Sequence, residues 1–290
     1  MVGCLLLGAF FCANTAAAEE PRDAGLSFDE DGTFTVLLYA DAQDTQLTST
    51  YLTRALRNVL SVSDVDLVIL LGDQLEGSSP LLHIGSGYEN VRRAIDNVLS
   101  PVVDAGIPFA YLFGNHDYDA PLSAKFQMEL YDAYPLCLTK SDEAGVADKS
   151  VFMLPVKTYD GLSTALCLYL FDSGNLLPDG NYAAVTADQV AWYNGQSAAM
   201  RAENGDRPVP SAAFLHIPVQ EVYELFTEVP KGTAGAFKGV GFQRETWFLP
   251  DSDKIFLGDV NESPCPSSEN NGLFDAFVGN DDVFLVAAGH

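Results

Sequence analysis

Positive charge is what this 290-residue chain has least of: 15 Lys and Arg stand against 40 Asp and Glu, a formal net charge of −25 at pH 7. A surface that tracks a nucleic acid needs a basic stripe to neutralise phosphates, and the only adjacent basic pair is Arg92–Arg93. No nucleic-acid partner is expected. Cysteine is limited to five residues, an odd number, of which Cys4 and Cys12 lie in an apolar N-terminal stretch. The other three, Cys137, Cys167 and Cys265, match no zinc-binding spacing. Cys167 sits in a strand-like apolar run and reads as buried. Cys137 and Cys265 remain available for one disulfide in an oxidising compartment, which the sequence leaves open.

Long apolar runs are also missing. The uncharged stretch Val2–Ala18 falls short of the roughly 20 residues that a membrane-spanning helix needs, so no stable membrane span is expected. Its apolar centre and the small residues Ala16–Ala18 fit a secretory signal, although no basic residue precedes it, the first being Arg22. The expected organisation is a signal peptide over 1–18, a lead-in over 19–32 and one domain over 33–290. The protein is then secreted or associated with the cell envelope. Several motifs are absent as well: no GxGxxG, no GxxxxGK[ST], no HExxH and no GxSxG. Dinucleotide-dependent, P-loop, zincin and α/β-hydrolase chemistries lose their main support.

What is present is a hydrophobic fraction of 48% against 19% charged residues, enough apolar material for a large core. Short apolar runs alternate with helix-period segments, the pattern of an α/β sheet with crossover helices. Strands are predicted at Phe34–Ala40, Leu67–Leu71, Pro108–Phe113, Thr164–Phe171, Ala212–Leu215 and Val283–Ala288. Helices are predicted through Leu52–Leu60, through Val91–Val102 with Gly106 as C-cap, and through Trp192–Met200, where Thr186 and Gln189 stand in a capping-box relation. Residues 231–266, rich in Gly and Pro, read as a loop excursion.

Polar residues recur where these strands end: Asp41 and Gln43, then Asp73, then Asn115, His116 and Asp117, then His216, then His290. Ligand sites in open α/β sheets form at the carboxyl ends of strands, so these endings should converge. Three of the chain's four histidines belong to the set. Asp, Asn and His together suit manganese, iron or zinc. His83 reads as an ordinary loop residue, and Asp172 and Ser173 as shaping a loop at the site's edge.

The ordered series D-x-(H), GD, GNHD, H and GH, with LGDQ, FGNHD, LFDSG and FLHIP around it, resembles the calcineurin-like metallophosphoesterase family, in the branch related to purple acid phosphatases. The resemblance spans Phe34 to His290 and implies a four-layer α/β/β/α sandwich whose last strands would lie beyond this chain. It implies a two-metal site, with Asp73 bridging both ions, Asp41 and Gln43 serving the first, and Asn115, His216 and His290 serving the second. It implies that a metal-bridging hydroxide attacks phosphorus while His116 assists the leaving group and Asp117 orients His116. Phosphate monoesters, small or on a phosphoprotein, are the implied substrates. Three departures stand out. Gln43 replaces the usual His, with the overlapping triplet Asp44–Thr45–Gln46 as a less natural alternative, and the second His of GHxH would fall two residues past His290. Glu76 stands where purple acid phosphatases carry their iron-binding Tyr, so a purple ferric centre is not expected. The rival readings are a catalytically weak or silent metal-binding protein of the same fold, and a phosphodiesterase or nucleotidase.

Overall fold

The computed structural model describes residues 4–8, 25–47, 49–255, 257–258 and 260–290. Three parallel strands open the domain: β2 (Thr35–Tyr39), β3 (Leu67–Leu71) and β4 (Phe109–Leu112), with β1 (Cys4–Gly8) added antiparallel to β2. The order is β1-β2-β3-β4. β3 reads LVILL and is buried at every position, as a strand covered on both faces requires. Of the stretch expected to be a signal peptide, only Cys4–Gly8 is described, and the Ala16–Ala18 pattern lies outside the described residues.

Two long helices cover this sheet. α1 (Thr50–Val62) begins where the Ser49 hydroxyl accepts the N–H of Leu52. After the short α2 (Pro80–His83), α3 (Gly87–Ala105) buries Val91, Ile95, Val98, Leu99 and Val102 along one face. It ends at Gly106, whose φ of 69° lets its N–H return to Val102 and Val103, so the predicted C-cap is observed. Pro101 inside α3 has no N–H for the Asn97 carbonyl, and the neighbouring Ser100 hydroxyl supplies the donor instead at 3.2 Å. α4 (Asn115–Tyr118) and α5 (Ala124–Asp132) follow β4.

A second sheet has the order β11-β7-β6-β5, from β5 (Phe152–Lys157), β6 (Thr164–Leu170), β7 (Ser211–Leu215) and β11 (Val283–Ala288). β6, β7 and β11 are parallel and β5 is antiparallel to β6. Along β6 the strand period of two separates two cores. Leu166, Leu168 and Leu170 face the first sheet, whereas Cys167, Tyr169 and Phe171 join Tyr193 and Phe277 on α6 (Ala187–Glu203) and α7 (Leu273–Asn280). Helices, sheet, sheet, helices is therefore the layer order, the four-layer arrangement that the sequence implied.

Three details depart from the sequence reading. The Thr186 hydroxyl does accept the Gln189 N–H, but the buried Gln189 amide does not complete a capping box. It pairs instead with the main chain of Asp172, tying α6 to the end of β6. The 231–266 excursion holds regular structure, since β9 (Phe237–Lys238) and β10 (Trp247–Pro250) join β8 (Phe226–Val229), just before it, in a small antiparallel sheet around Phe226, Phe237 and Phe248. Cys137 and Cys265 are not bonded to each other. Both are free thiols, and the buried Cys137 sulfur points at the Thr139 carbonyl, 3.2 Å away.

Gly195 lies on the exposed side of α6 with nothing near the position that a Cβ would take. Gly195→Ala should raise stability by about 0.5–1 kcal/mol through loss of unfolded-state entropy, read by urea denaturation.

Candidate metal centre

The carboxyl ends of β2, β3, β4, β7 and β11 bring Asp41, Asp73, Asn115, His216 and His290 to one edge of the sandwich. The backbone there is strained. Among the described residues seven non-glycine positions have positive φ, and four of them are Asp41 (55°), Gln43 (42°), Asp73 (52°) and His290 (62°). Strands that simply ran on would carry these side chains past the site, and the left-handed turn folds each back across its strand end.

Hydrogen bonds hold the turns in place. Asp41 N–H donates to Gly72 O at 3.1 Å and Gln43 N–H to Asp73 O at 2.9 Å, which zips the first two endings together. Asp117 is buried and its carboxylate accepts three main-chain N–H groups: Asp73 at 2.9 Å, Leu75 at 3.0 Å and Gly114 at 2.9 Å. Asp73 in turn accepts the N–H of His116 at 2.8 Å. Gly114 allows this closeness, because a Cβ there would fall 2.2 Å from the Asp73 carboxylate, and one on Gly72 would fall 2.6 Å from the His216 ring.

His216 is wholly buried. Its Nδ1 lies 2.9 Å from the Leu71 carbonyl, which can only accept, so Nδ1 carries the proton and Nε2 faces inward, 3.1 Å from Asp73 Oδ2. The donor atoms of Asp73, His216 and His290 all lie within 4.8 Å of one another. Burial disfavours a charged His216, yet the Asp73 carboxylate beside it outweighs this and raises its pKa. Burial likewise works against the Asp73 anion, but His216 and the His116 N–H hold its pKa low. Burial and the neighbouring His216 charge push the His290 imidazole down to about 4, so it offers a free lone pair at neutral pH. Burial raises the Asp41 pKa, against the pull of His216.

A cation fits this set. Among the described residues the buried Asn115 Oδ1 atom finds no hydrogen-bond partner, and His216 Nε2 has no properly formed hydrogen bond of its own. Unsatisfied oxygen and imidazole acceptors converging on a buried carboxylate are the donor chemistry of a divalent ion. Gln43 stands apart, since its side chain is exposed and only its main chain is tied to Asp73. The alternative triplet is already engaged, because the Asp44 carboxylate accepts the N–H groups of Thr45 and Ser49.

His116 sits at the rim with its side chain 32% exposed and Nε2 4.0 Å from Asp73 Oδ2. Asp117 does not orient its ring as expected. Adjacent residues on a helical turn point about 100° apart, and the Asp117 carboxylate is taken up by main-chain donors on the far side. Burial, reinforced by Asp73, pushes its carboxyl up to about 7 against those N–H groups. The carboxylate near the His116 ring is Asp119, which sequence reasoning missed although i,i+3 spacing on a turn signals it. Tyr182 was also missed. It packs edge-on to His290 with ring centres 4.4 Å apart and carries no local signal in the sequence. Asp172 is buried and takes hydrogen bonds from Tyr118 and Ser150, while the Ser173 hydroxyl accepts the N–H of Ile217, next to His216. His83, read as an ordinary loop residue, bonds the Gly77 carbonyl at 2.9 Å.

Gly114→Ala keeps an allowed backbone, so its effect is steric. It should cost about 1–3 kcal/mol in urea denaturation and weaken manganese binding about 10-fold in calorimetry by displacing Asp73.

Comparison with known proteins agrees with this architecture. A dimetal phosphatase from Danio rerio superimposes with a TM-score of 0.54 at 12% identity, over 89% of this chain and 81% of that one, a likeness of fold. Two Arabidopsis thaliana proteins named "Probable inactive purple acid phosphatase 28" and "Probable inactive purple acid phosphatase 14" are 25% and 23% identical, each over 91% of this chain and 67% of their own length. The model of the calcineurin-like phosphoesterase family matches residues 35–227, which include every strand ending above except the last. The chain belongs to the calcineurin-like phosphoesterase family.

Proposed function

We propose that this protein hydrolyses phosphate monoesters at a site of two divalent or trivalent metal ions, manganese, iron or zinc. Asp73, whose carboxylate lies within 4.8 Å of the donor atoms of His216 and His290, would bridge the ions. Asp41 would serve one ion, with Gln43 a weak neutral donor at best, and Asn115, His216 and His290 would serve the other. Such ions, when bound, acidify water and spread the charge that develops on phosphate oxygens.

The observation that carries the reading is His116. A purely structural histidine in this position would be expected to find a hydrogen-bond partner for its ring, yet this one stays at the rim beside Asp73 with Nδ1 unpartnered. A proton donor at the mouth of the site has a use in ester cleavage, since the departing oxygen must gain a proton. Main-chain bonding of His116 N–H to Asp73 fixes the distance between that donor and the ligand set. The net charge of −25 favours small esters or phosphoprotein segments over polyanions.

A second reading has its own support. The exposed Gln43 leaves the Asp41 side with few donors, and the two plant relatives carry "inactive" in their names. It makes the chain a metal-binding protein with little turnover. The deciding experiment loads the protein with manganese, zinc or iron and assays p-nitrophenyl phosphate and its bis-ester. The expected result is turnover of p-nitrophenyl phosphate, with kcat on phenyl phosphate, whose leaving group needs the proton, reduced about 10²- to 10⁴-fold by His116→Asn at unchanged metal content. Turnover of the bis-ester in preference makes it a diesterase, and no turnover with any metal leaves the silent binder.

Export belongs to the same proposal. It is supported by the apolar Val2–Ala18 stretch, and no helix among the described residues is long and apolar enough to cross a membrane. Material secreted by an expression host should begin near Glu19 by N-terminal sequencing, and a retained Met1 in the purified protein would contradict it.

A further inference from the structure

Three features lie outside the candidate ligands: the apolar hollow of about 580 Å³ beside His290, the half-buried Tyr118–Asp172–Lys149 cluster, and the turn that carries His116. The hollow is floored by Val286 and Ala288 of the edge strand β11, and nothing shows what covers it. The Asp172 carboxylate is already saturated by Tyr118, Ser150 and Gly174. The turn carries more.

His116 Nδ1 is a buried ring nitrogen with no hydrogen-bond partner among the described residues. Such atoms are rare because each forfeits the solvation it had in water. Asp119 Oδ2 lies 3.8 Å away, one side-chain rotation short of a hydrogen bond. The backbone already sets the two in register, since Asp119 N–H donates to His116 O at 3.1 Å. It also cannot drift. The loop after β3 packs flush against this turn, where a Cβ on Gly77 would fall 1.8 Å from His116 O and 2.7 Å from Ala120 N. His83 holds the Gly77 carbonyl from the other side.

We propose that Asp119 is the positioning residue of His116: its carboxylate accepts the Nδ1 proton and so presents Nε2 to the departing oxygen of the substrate. This rests on the phosphatase reading for its use, though the contact itself does not. Bonds of this kind are often long in an unliganded site and shorten when it fills. Asp119 touches no candidate ligand in the structure, and its side chain is 40% exposed, so its replacement leaves the fold intact.

The test has two readouts. Four histidines make a ¹⁵N-histidine NMR spectrum of the zinc-loaded protein assignable residue by residue. The expected result is a protonated His116 Nδ1 in the native protein and in Asp119→Asn, whose amide oxygen still accepts, with that signal lost to tautomer averaging in Asp119→Ala. The second readout is kinetic. Asp119→Ala should lower kcat about 10-fold on phenyl phosphate, whose leaving group needs the proton, and much less on p-nitrophenyl phosphate, with KM and metal content unchanged. Asp119→Asn should recover most of the loss. Identical His116 signals in the native protein and Asp119→Ala overturn the proposal, as does an equal kinetic loss on both esters. A native protein that cleaves neither ester overturns the phosphatase reading instead, and the NMR result alone then decides Asp119.

Discussion

One buried carboxylate holds the arrangement together. Asp117 gathers the main-chain N–H groups of Asp73, Leu75 and Gly114, which belong to two different strand endings. A carboxylate that accepts three fixed donors defines where those donors stand, and replacing it would leave them buried and unpaired. Asp73 is placed by that bond. His216, whose inward nitrogen faces Asp73, and His116, whose N–H ends on it, follow from the position of Asp73. The family's paired endings GD and GNHD are thus joined in space by a residue whose own side chain faces away from the chemistry.

The strain at the site follows from the same geometry. Asp41, Gln43, Asp73 and His290 adopt left-handed backbone conformations that cost on the order of 1 kcal/mol or more each in a residue with a Cβ. The two sheets can sustain this because their central strands are buried on both faces and fixed in register, as β3 and β6 show. The rigid part of the molecule therefore lies directly behind the strained part. Packing fails gracefully at α6, where Gly195 has room, and has no slack at Gly114.

Much of this was legible in the sequence, for identifiable reasons. β3 and β11 coincide with their apolar runs, and α3 stops at Gly106 because only glycine takes that φ at no cost. Strand endings marked the candidate ligands because parallel strands deliver their carboxyl ends to one edge. β5 was missed because Pro155 and partly exposed positions hide its period, and β8–β10 because their aromatics are spaced among glycines and prolines and meet only in three dimensions. Asp117 was misassigned by proximity along the chain, which on a helical turn is not proximity in space. The pairing of Cys137 with Cys265, which the sequence left open, does not form, and the Cys137 sulfur is buried against its own loop.

In the proposed function Asp73 lies between two cations. Anomalous diffraction from crystals grown with manganese tests it most directly. The account predicts two peaks flanking the Asp73 carboxylate, one on the side of Asp41 and the other near Asn115, His216 and His290. A single peak, or none within coordinating distance of Asp73, would contradict it.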